Sequence, residues 1–366
     1  MENQSKQLSM RESMDSLSQL LLEANPGSGF ELRRRLLGLS HEEFGAFLEL
    51  AQLNHVIVRG LNILLDSKSG EYGVDACVKQ AQDALDAELS RVRTATLFLH
   101  EVCQSLASRG HRIVVIKSLD HWPDLGSDLD LYTDSQPRDI CNFMTESLRA
   151  KIGSRSWGDR LACKWNFEIP GLPEAIEIHI GRLGQTGEQA AIASSLIERS
   201  RLIQIDGQTF RVTSIADRLM ISTLQRMYRH FFFRLSDVID SAEIMDAGLV
   251  DYNELRAQAT QAGIWEGVAA YLKIVSDYVK NYRGWGPELP QFVKIAARFG
   301  GEKVYYGNSF LRVPIMPQSV GLYGTQLAGI LKKGELHNGA RLGLLPWLAT
   351  AAALGQKLTG SDKGIW

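Results

Sequence analysis

The chain has 366 residues, 45 % of them apolar, which is enough to bury a core in two or three domains. Its 40 basic and 42 acidic side chains give a net charge of -2, so overall charge gives no reason to expect binding to nucleic acid or to an anionic membrane. The four cysteines form no C-x-x-C pair, which argues against structural zinc and against a disulfide scaffold.

The N-terminus is polar and lacks the apolar segment of a secretory signal. The most apolar stretch, residues 342–355, is short for a bilayer span and contains Pro346. From these features we expect a cytoplasmic protein with no membrane partner.

Periodicity divides the chain into four regions. Residues 1–30 are predicted to be a polar tail, residues 31–110 a helical region, residues 111–213 an α/β core and residues 214–366 a second helical region. The predicted fold class is α+β, with a small mixed β-sheet flanked by N- and C-terminal helices.

The first helical region contains two strong local patterns. Ser40 and Glu43 have the spacing of a capping box, which predicts a helix start. Apolar residues between Leu85 and Leu106 recur at steps of three and four, which predicts one long amphipathic helix.

After Gly110 the spacing of apolar residues changes from that of a helix to that of a β-strand. Asp206-Gly207 is a strong two-residue hairpin signal between two apolar runs. Ser214, followed by Asp217 three residues later, marks the return to helix. The predicted strands are 111–116, a second beginning near residue 128, 162–169, 175–180, 202–205 and 209–212.

Two strands carry acidic residues in alternation. Asp128 and Asp130 are two positions apart, so their side chains point to the same face about 6–7 Å apart and can share a divalent cation. Glu177 and His179 alternate with apolar residues on a later strand, so Glu177 is the natural third carboxylate. Three carboxylates without a cation would repel at about 4 kcal/mol per pair at ~4 Å and an effective dielectric of ~20.

A turn ends the first predicted strand ten positions before Asp128. The small residue Ser118 would let backbone N–H groups approach a triphosphate, and its hydroxyl adds a donor. Lys117 would supply positive charge to the same phosphates.

The chain resembles the nucleotidyltransferase superfamily that includes the aminoglycoside nucleotidyltransferases. The resemblance lies in the order of an apolar strand, a small-residue turn, about ten residues and then Asp-x-Asp. More closely, the chain resembles an uncharacterised bacterial nucleotidyltransferase family with a Leu-Lys-Gly turn, an Asp-x-Asp strand and a later acid-x-His strand. These motifs stand here as Ile116-Lys-Ser118, Asp128-Leu-Asp130 and Glu177-Ile-His179. Ser118 replaces the glycine usual in this family, and Lys117 stands where the wider superfamily has glycine.

The resemblance implies a nucleotidyltransferase-type core that transfers a nucleoside monophosphate from a nucleoside triphosphate to an acceptor hydroxyl or phosphate. Asp128, Asp130 and Glu177 would be the catalytic carboxylates that bind Mg²⁺, with Mn²⁺ as the alternative ion, and Glu177 could instead act as a base. The acceptor stays open among a small molecule, tRNA and a protein side chain.

We assign Lys117, Ser118, Ser127, His179 and Arg182 to nucleotide binding. For two of these residues a structural explanation stands beside the functional one: His179 would suit a hydrogen-bonded structural histidine, and Arg182 a solvated surface cation.

The segment Tyr228-Arg-His230 falls on the helix after the sheet, where it would line the acceptor side or belong to an ordinary amphipathic helix. Two other functions remain open: a catalytically silent binding or regulatory module with the same fold, and a glycosyltransferase that uses a nucleotide sugar.

Overall fold

The computed structural model describes residues 10–23, 26–66, 76–307, 309–348 and 350–351. The fold class is α+β, as predicted, with helices before and after a mixed sheet. None of the helices in these ranges is long and apolar enough to cross a membrane.

Within the described ranges, five α-helices precede the sheet. The longest, α5, covers the predicted amphipathic stripe and buries it. Ser40 and Glu43 form the predicted capping box at the start of α3. The bounds are α1 Met10–Leu22, α2 Pro26–Leu37, α3 His41–Leu53, α4 Ile57–Leu64 and α5 Ala76–Ser108.

The prediction of a polar tail over residues 1–30 differs from the described part of that segment. Helix α1 buries Met14 and Leu17 against α4 and α13 (Trp265–Arg283), and the hydroxyls of Ser18 and Tyr278 lie 2.7 Å apart. Its apolar residues recur at helical spacing, and their burial depends on C-terminal helices that are distant in sequence. Residues 1–9 and 24–25 lie outside the described ranges.

Seven strands form the main sheet in the order β3-β4-β5-β2-β1-β7-β6. β2 pairs parallel with β5 and antiparallel with β1, whereas β1 pairs parallel with β7. The predicted hairpin at Asp206-Gly207 is confirmed as β6–β7. The bounds are β1 Ile113–Val115, β2 Asp128–Thr133, β3 Lys151–Ile152, β4 Lys164–Glu168, β5 Ala175–Ile180, β6 Arg201–Ile205 and β7 Gln208–Val212.

Short helices lie between these strands, and longer ones follow them. Ser214 caps α10 as predicted, by accepting a hydrogen bond from the backbone N–H of Asp217. The bounds are α6 Pro137–Glu146, α7 Trp157–Leu161, α8 Ala190–Ala193, α9 Leu196–Arg199, α10 Ile215–Thr223, α11 Leu235–Asp246, α12 Tyr252–Gln261, α13 Trp265–Arg283, α14 Gln291–Ala296, α15 Val320–Lys332 and α16 Leu336–Gly343.

A second, three-stranded sheet lies within the C-terminal region. It consists of β8 Phe232–Phe233, β10 Phe310–Arg312 and β9 Tyr305–Gly307 in that order. The rings of Phe232 and Phe310 stack with their centroids 4.2 Å apart. β9 and β10 pair with each other, and β10 also pairs with β8, a distant segment that sequence periodicity does not reveal.

The described residues form two hydrophobic clusters. One lies between the second half of α5 and one face of the sheet. The other joins the N-terminal helices to α10–α14 and includes Val114, Ile116 and Tyr132 from the opposite face of the sheet. The helical regions predicted before and after the sheet thus share a core.

The loop between β1 and β2 is tied to the helices by one buried guanidinium. Arg59 on α4 donates to Oδ2 of Asp124 and to Oδ1 of Asp240, both at 2.8 Å, and to the carbonyl of His121 at 3.0 Å. Asp124 also accepts the backbone N–H of Val58 at 2.7 Å. Burial lowers the pKa of Arg59, but the two aspartates outweigh it and raise the pKa well above the usual range. Arg59 therefore stays charged and fixes the loop.

We expect Arg59→Met to lower the free energy of unfolding by about 3–5 kcal/mol, because it leaves Asp124 and Asp240 buried without their cation. Urea unfolding followed by circular dichroism measures the change. Arg112→Met is the control, since Arg112 pairs with Asp134 and Glu198 on the exposed surface and its loss should leave the midpoint unchanged. An Arg59→Met midpoint equal to that of the control would contradict the assignment.

Candidate functional site

Strand alternation brings the predicted acidic residues to one face of the sheet. Leu129 and Leu131 of β2 are buried against α5, so Asp128 and Asp130 point to the opposite face. β5 runs parallel to β2 with Glu177 directly opposite Asp130. Neighbouring strands are about 4.8 Å apart, so this register holds the two carboxylates side by side.

Asp130, Glu177 and His179 form a group that can hold a metal ion. One ligand atom from each lies within 4.8 Å of the others. Nε2 of His179 is 3.4 Å from Oδ1 of Asp130, and its Nδ1 has no hydrogen-bond partner within the described chain. His179, which we had assigned to nucleotide binding, thus joins two of the three predicted metal ligands.

Asp128 lies at the exposed end of the same strand, outside that group. Its Oδ2 accepts a hydrogen bond from the Ser127 hydroxyl at 3.3 Å. Partial burial, then the negative charges of Glu177 and Asp130, raise the pKa of Asp128. A cation placed among these carboxylates would reverse that shift.

Two lysines neutralise the other carboxylates. Lys117 forms an ion pair with Asp130. Nζ of Lys164 on β4 lies 3.1 Å from both carboxylate oxygens of Glu177 and 3.0 Å from Asp159. Burial alone raises the pKa of Asp130, but Lys117 and His179 hold it well below its usual range. Burial lowers the pKa of Lys164, and its two acidic partners raise it above the usual value.

The turn after β1 has a strained backbone. Lys117 has φ 62° and ψ -53°, and the N–H of Ser118 donates to the carbonyl of Ile116 at 2.6 Å, which defines a γ-turn with positive φ. Such a conformation costs about 1–3 kcal/mol for a residue other than glycine. The turn directs the Lys117 side chain to Asp130.

Ser118 serves the sheet directly. Its hydroxyl accepts a hydrogen bond from the backbone N–H of Asp130 at 2.7 Å, and the whole residue is only 4 % exposed. Ser118 therefore fixes the start of β2. Ser118 and Ser127 both line the cleft above the carboxylates. Arg182 does not line it, and its side chain passes beside Gly187 instead.

The opposite wall of the cleft is basic. Helix α10 continues into a π-helical segment, Leu224–Arg229, which carries Arg226 and Arg229 to the cleft, and Arg234 follows. π-helical turns occur frequently at functional sites. Arg226 is buried and pairs with Asp237 at 2.7 Å. The buried Nε atoms of Arg229 and Arg234 have no hydrogen-bond partner in the part of the chain described.

The protonation of nearby groups reflects this excess of positive charge. Burial, then the charge of Arg234, lowers the pKa of His55 to about 2. Burial, then the charge of Arg229, lowers that of His230 to about 2. Burial and Arg226 lower the pKa of Arg234 to about 10. An anion bound between these side chains would stabilise their positively charged forms.

The cleft encloses about 780 Å³ of space, part of it open to solvent. Carboxylates suited to a divalent cation form one wall, and cations suited to an anion form the other. A polyanion with a bound divalent cation matches both walls.

Sequence patterns did not identify several of the residues that line the cleft. Arg229 and His230 lie in a segment for which the acceptor side was one of two alternatives, but Lys164, Arg226, Arg234 and His55 were not selected. Lys164 had a usable signal, because it alternates with apolar residues in the predicted strand 162–169. The arginines stand close together in sequence, whereas His55 comes from a distant helix end and carries no local signal.

No protein-family model matches the chain, and no curated protein matches it. The geometry and chemistry of the cleft therefore carry the functional argument.

Acidification should destabilise the fold through His55 and His230. Their folded-state pKa values lie below the usual value, so the unfolded chain binds the extra protons, and stability falls as the pH drops below about 6.5 by up to about 1.4 kcal/mol per pH unit for each histidine. We expect the double variant His55→Gln, His230→Gln to lose less stability than the wild type between about pH 7.5 and about pH 5.5. Urea unfolding at both pH values measures this, and equal losses would refute the assignment.

Proposed function

We propose that this protein is a metal-dependent nucleotidyltransferase that transfers a nucleoside monophosphate from a nucleoside triphosphate to an acceptor hydroxyl or phosphate. The observation that carries the proposal is the pairing of two walls in one cleft. Asp128, Asp130 and Glu177 face Arg229 and Arg234 across it. A triphosphate with its divalent cation supplies the charges that both walls require.

The carboxylates fit a hard divalent cation by their chemistry. Asp128, Asp130 and Glu177 offer oxygen ligands of the kind that Mg²⁺ and Mn²⁺ prefer, and the imidazole of His179 adds a nitrogen donor beside them. When bound, the cation would neutralise charge on the phosphates and polarise them.

The basic side chains would bind and orient the phosphates. Arg229 and Arg234 offer unpaired donors, and a guanidinium can bind phosphate oxygens in a bidentate manner. Lys117 and Lys164 become available to phosphate oxygens once a cation replaces them on Asp130 and Glu177. Positioning and charge stabilisation are the main demands of phosphoryl chemistry, and the cleft supplies both.

The resemblance described above agrees with this arrangement. The small-residue turn, the Asp-x-Asp strand and the acid-x-His strand are adjacent in the sheet, although they are separated in sequence. The transferred group and the cation would then occupy the space above Asp130 and Glu177.

Isothermal titration with ATP, CTP, GTP and UTP in the presence of Mg²⁺ tests the proposal. We expect at least one nucleotide to bind. The double variant Asp128→Asn, Asp130→Asn should weaken Mg²⁺-dependent binding by more than about 100-fold, since even the loss of outer-shell partners of a metal site costs about 10–100-fold. Glu168→Gln is the matched control, because Glu168 is an exposed acid on β4, the strand next to β5. Failure of all four nucleotides to bind the folded protein would refute the proposal.

One observation favours a second candidate, a catalytically silent module that binds nucleotides without metal. Lys117 and Lys164 already neutralise Asp130 and Glu177, so the site is electrically stable without an added cation. Titration with nucleotide in EDTA separates the two candidates. Equal affinity with Mg²⁺ and with EDTA would support the silent module, whereas affinity that depends on Mg²⁺ supports the enzyme.

A further inference from the structure

A second pocket adjoins the cleft beyond His179, and we call it the apolar pocket. It encloses about 610 Å³ of space, part of it open to solvent. It shares Lys117, Gln225 and Arg229 with the cleft. His179 lies two positions after Glu177 on the same face of β5, so the apolar pocket begins where the carboxylates end. A ligand with phosphates in the cleft can therefore extend into the apolar pocket.

The walls of the apolar pocket are mostly hydrocarbon, and its polar lining residues include the amides of Gln185 and Gln326. Its apolar lining residues are Ile116, Leu183, Ile221, Leu224, Leu342 and Leu345. Gln326 is only 1 % exposed, and its Nε2 has no hydrogen-bond partner among the described residues, nor has Oε1 of Gln185. Each amide offers a donor and an acceptor. Amide atoms that lack a partner among the described residues, beside apolar side chains, suit a ring whose edge both donates and accepts hydrogen bonds.

The apolar pocket does not suit a charged occupant. Its carboxylate, Glu188, accepts hydrogen bonds from the N–H and hydroxyl of Thr186 at 2.9 and 3.1 Å, and burial raises its pKa. The ammonium of Lys117 is paired with Asp130, and Arg229 lies at the junction with the cleft. We therefore expect the uncharged atoms of a ligand to lie in the apolar pocket and its anionic atoms to lie where the pocket meets the cleft.

A different cavity lies on the other side of the cleft, beyond Gly126 and Ser127. An ion pair between Arg91 and Glu174, 2.6 Å apart, lines it. That charged wall would be costly to cover with a neutral ring, so the apolar pocket is the better site for one.

From these observations we propose that the apolar pocket binds the nucleobase of the nucleoside triphosphate. This inference rests on the proposed function, because it takes the phosphates to lie in the cleft. Apolar side chains would cover the faces of the base, and the amides of Gln185 and Gln326 would contact its edge.

The C-terminal helices thereby gain a role in recognition. α15 supplies Gln326 and α16 supplies Leu342. Arg341 holds α16 in place by donating to the carbonyls of Leu161 and Thr186, both at 2.7 Å. The helices that follow the sheet by more than a hundred residues would thus select the base.

Titrations of each nucleoside triphosphate and of inorganic tripolyphosphate, all with Mg²⁺, test the inference. We expect Leu345→Trp, which fills the apolar pocket from a half-buried position, to weaken nucleotide binding by at least about tenfold and to leave tripolyphosphate binding unchanged. Gln326→Met keeps the length of the side chain and removes the amide, so it should reduce the differences in affinity among the four nucleotides. Gln82→Met is the matched control, because Gln82 is exposed on α5.

The outcomes separate this inference from the proposed function. The nucleobase does not lie in the apolar pocket if wild-type protein binds nucleotides no more tightly than tripolyphosphate, or if Leu345→Trp weakens the binding of both ligands equally. Phosphate binding in the cleft would be unaffected by either result. If neither ligand binds the folded wild type, both proposals fail. Weaker nucleotide binding alone, with unchanged circular dichroism spectra, supports the nucleobase site.

Discussion

The parallel register between β2 and β5 is the constraint on which the site depends. It places Asp130 opposite Glu177 and directs Leu129 and Ile176 into the core under α5. Because side chains alternate along a strand, a slip of one residue would turn the carboxylates into that core and the leucines into the cleft. The hydrophobic cluster therefore enforces the register, and the register assembles the acidic group. Packing on one face of the sheet thus determines chemistry on the other.

Charge balance explains how this acidic group is stable within the fold. Each inner carboxylate has a lysine partner, Lys117 for Asp130 and Lys164 for Glu177. Buried like charges repel strongly, and the lysines offset that repulsion until other ligands arrive. The strained turn at Lys117 contributes to this charge balance, because it directs the ammonium toward Asp130. Of the arginines on the opposite wall, Arg226 pairs with Asp237, whereas Arg229 and Arg234 have no ion pair within the described residues, which leaves an excess of positive charge there.

The sequence predicted the acidic wall and missed most of the basic one, for a physical reason. Alternation of apolar and acidic residues is a local property, so Asp128, Asp130 and Glu177 could be placed on one face before the sheet order was known. Lys164 and Arg234 reach the site only through strand pairing and helix packing. Helix α1 was taken for a tail because its partners lie far away in sequence. Contacts of that kind depend on the tertiary fold, which local periodicity does not encode.

The acidic strand and the basic segment pack together, because Ile116 and Tyr132 belong to the hydrophobic cluster that also holds Met227 and Tyr228. Arg59 adds a polar connection. Its guanidinium joins Asp124, in the loop that leads to the acidic strand, to Asp240 on α11, the helix that begins directly after Arg234. This buried network thus ties the loop before the acidic strand to the helix that follows Arg234. Since a cation and a triphosphate must meet both walls at once, the preorganisation that the proposed chemistry requires follows from this network.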